Sequence, residues 1–84
     1  MANQMINERV QVNSQLLGGQ ILPMQVTWKK KLYALGKVLK RRSRKTPMGR
    51  LERITLSAVV WKERVLEYNH DTTEWTLLEI ENNG

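Results

Sequence analysis

Apolar side chains in this chain return at every second position, in short runs that end at turn-forming residues. Met24, Val26 and Trp28 alternate with Gln25, Thr27 and Lys29, and Val10 and Val12 alternate within residues 9–13. Ile54, Leu56, Ala58 and Val60 do the same over residues 52–60. A two-residue period puts one set of side chains on one face of an extended strand, whereas an amphipathic helix needs a period near 3.6. No window carries a clean helical period. The nearest competitor is a stripe of Leu51, Ile54, Thr55 and Ala58, which leaves residues 51–60 open to either strand or helix.

Turn chemistry divides the runs. Gly18-Gly19 closes the first strand, and Pro23 suits the entry of the second, where no ladder donor is needed. A tight connection within residues 29–32, a loop of two or of four residues, sets Trp28 opposite Tyr33 and Val26 opposite Leu35, although Lys-Lys is poor chemistry for a type I′ turn. The third strand runs to about Lys40. A bulge at Gly36 lets Leu35 and Val38 face the same side. Residues 41–50 read as a basic loop containing Pro47 and Gly49. A strand over 52–60, a turn near Lys62-Glu63 and a strand over 64–68 follow. Residues 69–73 form a turn, and a last strand over 74–80 pairs Trp75 with Tyr68 and Leu77 with Leu66. Residues 1–8 and 81–84 read as loose ends. The expected fold is mainly β: one small antiparallel barrel or sandwich of about six short strands, spanning the whole chain as a single domain.

At 84 residues with no cysteine and one histidine, the chain has neither disulfides nor a Cys- or His-rich metal site to hold it together. It lacks Phe, so Trp28, Tyr33, Tyr68 and Trp75 are expected to supply much of the core, while Trp61, next to Lys62 and out of phase with Ile54 and Leu56, is expected to be exposed. No run approaches the ~20 apolar residues of a membrane span, and the N-terminal residues carry no basic-then-apolar leader pattern. These features predict a soluble, cytoplasmic protein that does not insert into membranes.

The charge is divided unevenly. Eleven of the fourteen basic residues lie from Lys29 to Arg53, with Glu52 as the single acid there, whereas six acids against Lys62 and Arg64 occupy the chain from Trp61 onward. A basic concentration of this kind attracts polyanions. The expected nucleic-acid contacts are Lys29, Lys30, Lys31, Lys40, Arg41, Arg42, Arg44, Lys45 and Arg50, with Trp61 as a ring that can stack. The competing reading is a protein-interaction or self-association module, in which the basic middle of one chain meets the acidic third of another chain or of a partner.

Catalysis has no constellation to rest on. His70 and Asp71 share a turn but have no nucleophile beside them, Gly18-Gly19 lacks the strand–glycine–helix context of a phosphate cradle, and the serines have no local base. A non-enzymatic domain without cofactor, metal or small-molecule substrate is the expectation.

Pro23, Trp28, Tyr33, Leu35, Val38 and Leu39, followed by Leu66, Tyr68, Trp75, Leu77 and Ile80, resemble the opening and closing hairpins of an uncharacterised family of short bacterial all-β proteins. The likeness runs over residues 10–80. It departs from the family in the glycine-free turn at 29–31 and in the absence of a tryptophan after Leu39. Domains related to that family are fused to proteins resembling translesion DNA polymerases, so the resemblance implies a setting in DNA metabolism. It implies no catalytic residues.

Overall fold

The computed structural model describes residues 3–58 and 63–81. Six strands, β1 (Asn3–Leu17), β2 (Gln20–Trp28), β3 (Lys31–Thr46), β4 (Gly49–Ala58), β5 (Glu63–Asn69) and β6 (Glu74–Glu81), each pair antiparallel with the next, and β1 pairs with β6 to close a barrel. Residues 51–58 are therefore strand, not helix. The turns at 18–19, 47–48 and 70–73 share one end of the barrel, and the turn at 29–30 lies at the other.

The wall is built from two sheets that share their long strands. The first half of β1 pairs with β6, from Asn3 opposite Glu81 to Val10 opposite Trp75, and the second half pairs with β2. Likewise β3 pairs with β2 only from Lys31 to Ala34 and with β4 from Leu35 onward. The change of partner in β3 coincides with register shifts around Gly36, as the glycine led one to expect. A Cβ at Gly36 would collide with the Ser57 hydroxyl, which accepts a hydrogen bond from the Lys37 amide at 3.0 Å.

Val10, Val26, Trp28, Ile54, Leu56, Leu66, Trp75, Leu77 and Ile80 form the core. Tyr68 opposite Trp75 and Leu66 opposite Leu77 have the expected register. The turn before them is tied by Asn69, whose Oδ1 accepts from the amides of Asp71 at 2.9 Å and Thr72 at 3.2 Å. Fully burying an aliphatic side chain contributes about 1.5–3 kcal/mol, so this cluster carries the hydrophobic stabilisation of a small domain.

Five expectations are corrected. The first hairpin takes the shorter of the two expected loops but a different register: its turn is Lys29-Lys30 alone, with φ of +52° and +65°, so Val26 faces Tyr33 and Trp28 faces Lys31. The shift is two residues, which keeps every side chain on its face, and the Trp28 and Tyr33 rings still meet at 6.4 Å. Met24 is 41% exposed because a register shift beside it turns Pro23 inward instead. Residues 41–50 are not a loop. Residues 41–46 continue β3, a turn at Pro47-Met48 follows, and Gly49 opens β4. A ladder needs only backbone donors and acceptors, so charged side chains do not prevent strand formation where the outward face meets water. Finally, residues 3–8 lie in the ladder with β6 and are not a loose tail, while the expected turn at Lys62-Glu63 begins among residues outside the description and Glu63 already belongs to β5.

Candidate nucleic-acid interface

The β3–β4 ladder sorts the basic run by alternation. Arg41 stands opposite Ile54 and Ser43 opposite buried Glu52, so these point inward. Lys40 opposite Thr55, Arg42 opposite Arg53 and Arg44 opposite Leu51 therefore point outward. Lys45 and Arg50 face each other beside the tip, both exposed. The tip itself is held in place. The Thr46 hydroxyl accepts from the Met48 amide at 3.2 Å and donates to the Gly49 carbonyl at 2.8 Å, and Asn69 Nδ2 donates to the Met48 carbonyl at 3.3 Å. Gly49, at φ +127°, lies so close to Asn69 and Asp71 that a Cβ would press on both. Residues 40–53 thus carry six exposed cations on one fixed hairpin, and Arg42, Ser43, Arg44, Leu51, Arg53 and Glu67 surround a shallow hollow of about 260 Å³ on its outer side.

The acidic strands lie alongside. Arg53 reaches Glu67 of β5 at 3.7 Å, and Glu63, Glu74 and Glu79 follow on β5 and β6, with Arg9 paired to Glu74 at 2.8 Å. Along the ladder the cations of β3 and β4 stand beside the carboxylates of β5.

The residues expected to act together do not all meet. Lys29, Lys30 and Lys31 sit at the opposite end of the barrel from the β3–β4 tip, with Lys29 Nζ 4.8 Å from the centre of the Trp28 ring. Trp61 lies outside the described residues. Arg41 is turned inward. Its Nη1 donates to Glu52 Oε2 at 2.5 Å and to the Ile21 carbonyl of β2 at 3.0 Å, which bridges a corner of the barrel where β2 and β3 no longer pair. His70 Nε2 meets the other oxygen, Glu52 Oε1, at 2.8 Å, and its ring lies edge-on to Tyr68 at 4.9 Å.

Burial acts to raise the Glu52 pKa, but the hydrogen bonds and charges of Arg41 and His70 outweigh it and hold the carboxyl below its ordinary value. At the far end Arg64, fully buried, lies with its guanidinium carbon 4.3 Å from the Tyr33 ring centre, and burial lowers its pKa against the opposing influence of Tyr33. Reading the residues singly missed both groups. The signal was present: Glu52 is in phase with Ile54 and Leu56, and Arg64 with Leu66 and Tyr68, so a two-residue period assigns both to the inward face.

The Arg41–Glu52–His70 group can hold charge and hydrogen-bond a polar ligand, with a carboxylate, a guanidinium and an imidazole joined. Comparison of the chain with protein-family models, curated proteins and solved structures finds no match.

Proposed function

We propose that this domain binds nucleic acid through backbone phosphates, with the β3–β4 hairpin as the contact surface and no catalytic step of its own. One observation carries the reading: Lys40, Arg42 and Arg44 follow one another along the outer face of β3, with Arg53 across the ladder and Lys45 and Arg50 at the tip. Alternate strand residues lie about 6.7 Å apart, comparable to the step between successive phosphates of a strand. Arginine adds two-pronged contacts to phosphate oxygens. Contacts of this kind position a protein without reading sequence, so weak sequence preference belongs to the proposal. A cytoplasmic setting belongs to it as well. The resemblance to bacterial domains fused to polymerase-like proteins supports the same direction.

The test is a salt titration on mixed-sequence DNA. Each phosphate-contacting cation adds roughly 0.9 to the slope of log affinity against log salt on duplex. Changing Lys40, Arg42, Arg44 and Lys45 to Gln should flatten the slope by about 3–4 and weaken binding on all sequences alike. Changing Lys29, Lys30 and Lys31 at the other end should leave the slope alone. An unaltered slope in the first variant overturns the proposal.

The cations of β3 and β4 beside the carboxylates of β5 favour a second reading, self-association in which the β3–β4 face of one copy meets the β5–β6 face of another. Sedimentation at low and high salt decides it, since a monomer at high protein concentration in both excludes it.

A further inference from the structure

The tip end of the barrel is open at a corner. β1 leaves β6 after Val10 and β2 joins β3 only from Gln25, so residues 11–24 form a two-stranded flap with no ladder to either neighbour at this end. Between the flap and the β3–β4 hairpin lies a cleft of about 560 Å³, spanned at one point by the Arg41 hydrogen bond to Ile21. That volume is within the range of small-ligand sites.

The lining is divided by chemistry. Leu16 and Ile21 of the flap form one apolar side, and Tyr68 and His70 bring two rings from the β5–β6 end. Tyr68 is backed by Trp75, centroid to centroid 4.6 Å, so its ring is held by the core. Ser43 and Arg50 line it from the inner side of the basic hairpin, whose outer side carries Lys40, Arg42 and Arg44. Apolar and aromatic surface with a hydroxyl and a cation beside it suits a flat heterocycle attached to a phosphate.

From this placement we infer that the cleft receives an unstacked base of a single strand whose phosphates run along the β3–β4 hairpin. The inference rests on the phosphate-binding reading and adds to it a preference for single strands. A duplex keeps its bases paired and stacked, whereas a single strand can turn one base aside at small cost, and rings accept any base because each has a π face. The Arg41–Glu52–His70 bonds fix the cleft floor, since both carboxylate oxygens of Glu52 are already engaged.

The probe is a labelled twelve-nucleotide oligothymidylate, compared by fluorescence anisotropy at constant salt with a strand of equal length carrying abasic sugars throughout. The two share their phosphates and differ in bases alone. The intact strand should bind about tenfold or more tightly than the abasic one, the range expected of one or two base–aromatic contacts. Tyr68→Leu, which keeps apolar bulk against Trp75, should remove that ratio and leave abasic binding and the salt slope unchanged. Leu16→Ala, at a 73% exposed position of the flap, should lower the same ratio by removing one apolar side of the cleft, and it serves if the Tyr68 variant does not fold. Equal affinity of the wild type for both strands overturns the inference and leaves the phosphate reading standing, as does a ratio that survives Leu16→Ala in a folded variant. No binding to either strand overturns both.

Discussion

Replacing Arg41 by glutamine asks whether a cation in the middle of the basic run belongs to the surface or to the frame. Arg41 makes two charge-assisted contacts, at 2.5 Å to Glu52 and 3.0 Å to the Ile21 carbonyl, and its side chain is 21% exposed against 11% for Glu52. Hydrogen bonds to charged groups contribute about 1.5–3 kcal/mol, and glutamine can retain one neutral contact while leaving the carboxylate with His70 alone. The expected loss is therefore about 2–3 kcal/mol. In a domain of this size each kcal/mol moves Tm by roughly 4–8 °C, so Arg41→Gln should melt about 10–20 °C below the wild type. Arg42→Gln, one residue along and facing water, should stay within about 0.5 kcal/mol. Thermal unfolding followed by circular dichroism measures both, and a double-mutant cycle with Glu52→Gln should return a coupling of about 0.5–3 kcal/mol. If Arg41→Gln and Arg42→Gln melt together near the wild type, the bridge across the barrel corner contributes nothing and the reasoning fails.

Acid should reveal the same group from the carboxylate side. The folded pKa of Glu52 lies below its ordinary 4.5, so its contribution is complete above that value and is lost as pH falls through the lower folded one. Melts from about pH 6 down to pH 3 should show a decline that Glu52→Gln reduces, and an identical pH profile in the variant would contradict this. At the other end of the barrel Lys30 sits at φ +65°, where a non-glycine residue is disfavoured by roughly 1–2 kcal/mol. Lys30→Gly should raise stability by about 0.5–1 kcal/mol once the greater freedom of the unfolded chain is counted, and a lowered denaturation midpoint would refute the turn assignment.

The closing hairpin was legible because its information is local. Asn69 ties its own turn, and from that turn the register of Tyr68 on Trp75 and Leu66 on Leu77 follows by counting. Met24 and Pro23 were misread because a single bulge reverses the facing of every residue beyond it, and Pro23, read as the strand's entry, lies inside β2 beside the irregularity, at one of the few places in a sheet where a proline is tolerated. The β3–β4 hairpin was misread for a different reason. A lack of apolar residues reads as a loop only if the inner face must be apolar, and near this end of the barrel that face is filled by Arg41 and Glu52 paired with each other.

The sequence by itself determined the β class, the strand count, most of the turn positions and the separation of positive from negative charge, since alternation, turn chemistry and net charge are properties of neighbours along the chain. Tertiary structure alone decided which charges share a surface. Lys31 and Lys45 lie on the same strand, yet β3 carries them to opposite ends of the barrel. Ile21, Arg41, Glu52 and His70 come from distant parts of the chain, yet meet at one corner. An extended strand advances about 3.3 Å per residue, which separates residues that are near in sequence, and closing the barrel brings together residues that are far apart in it.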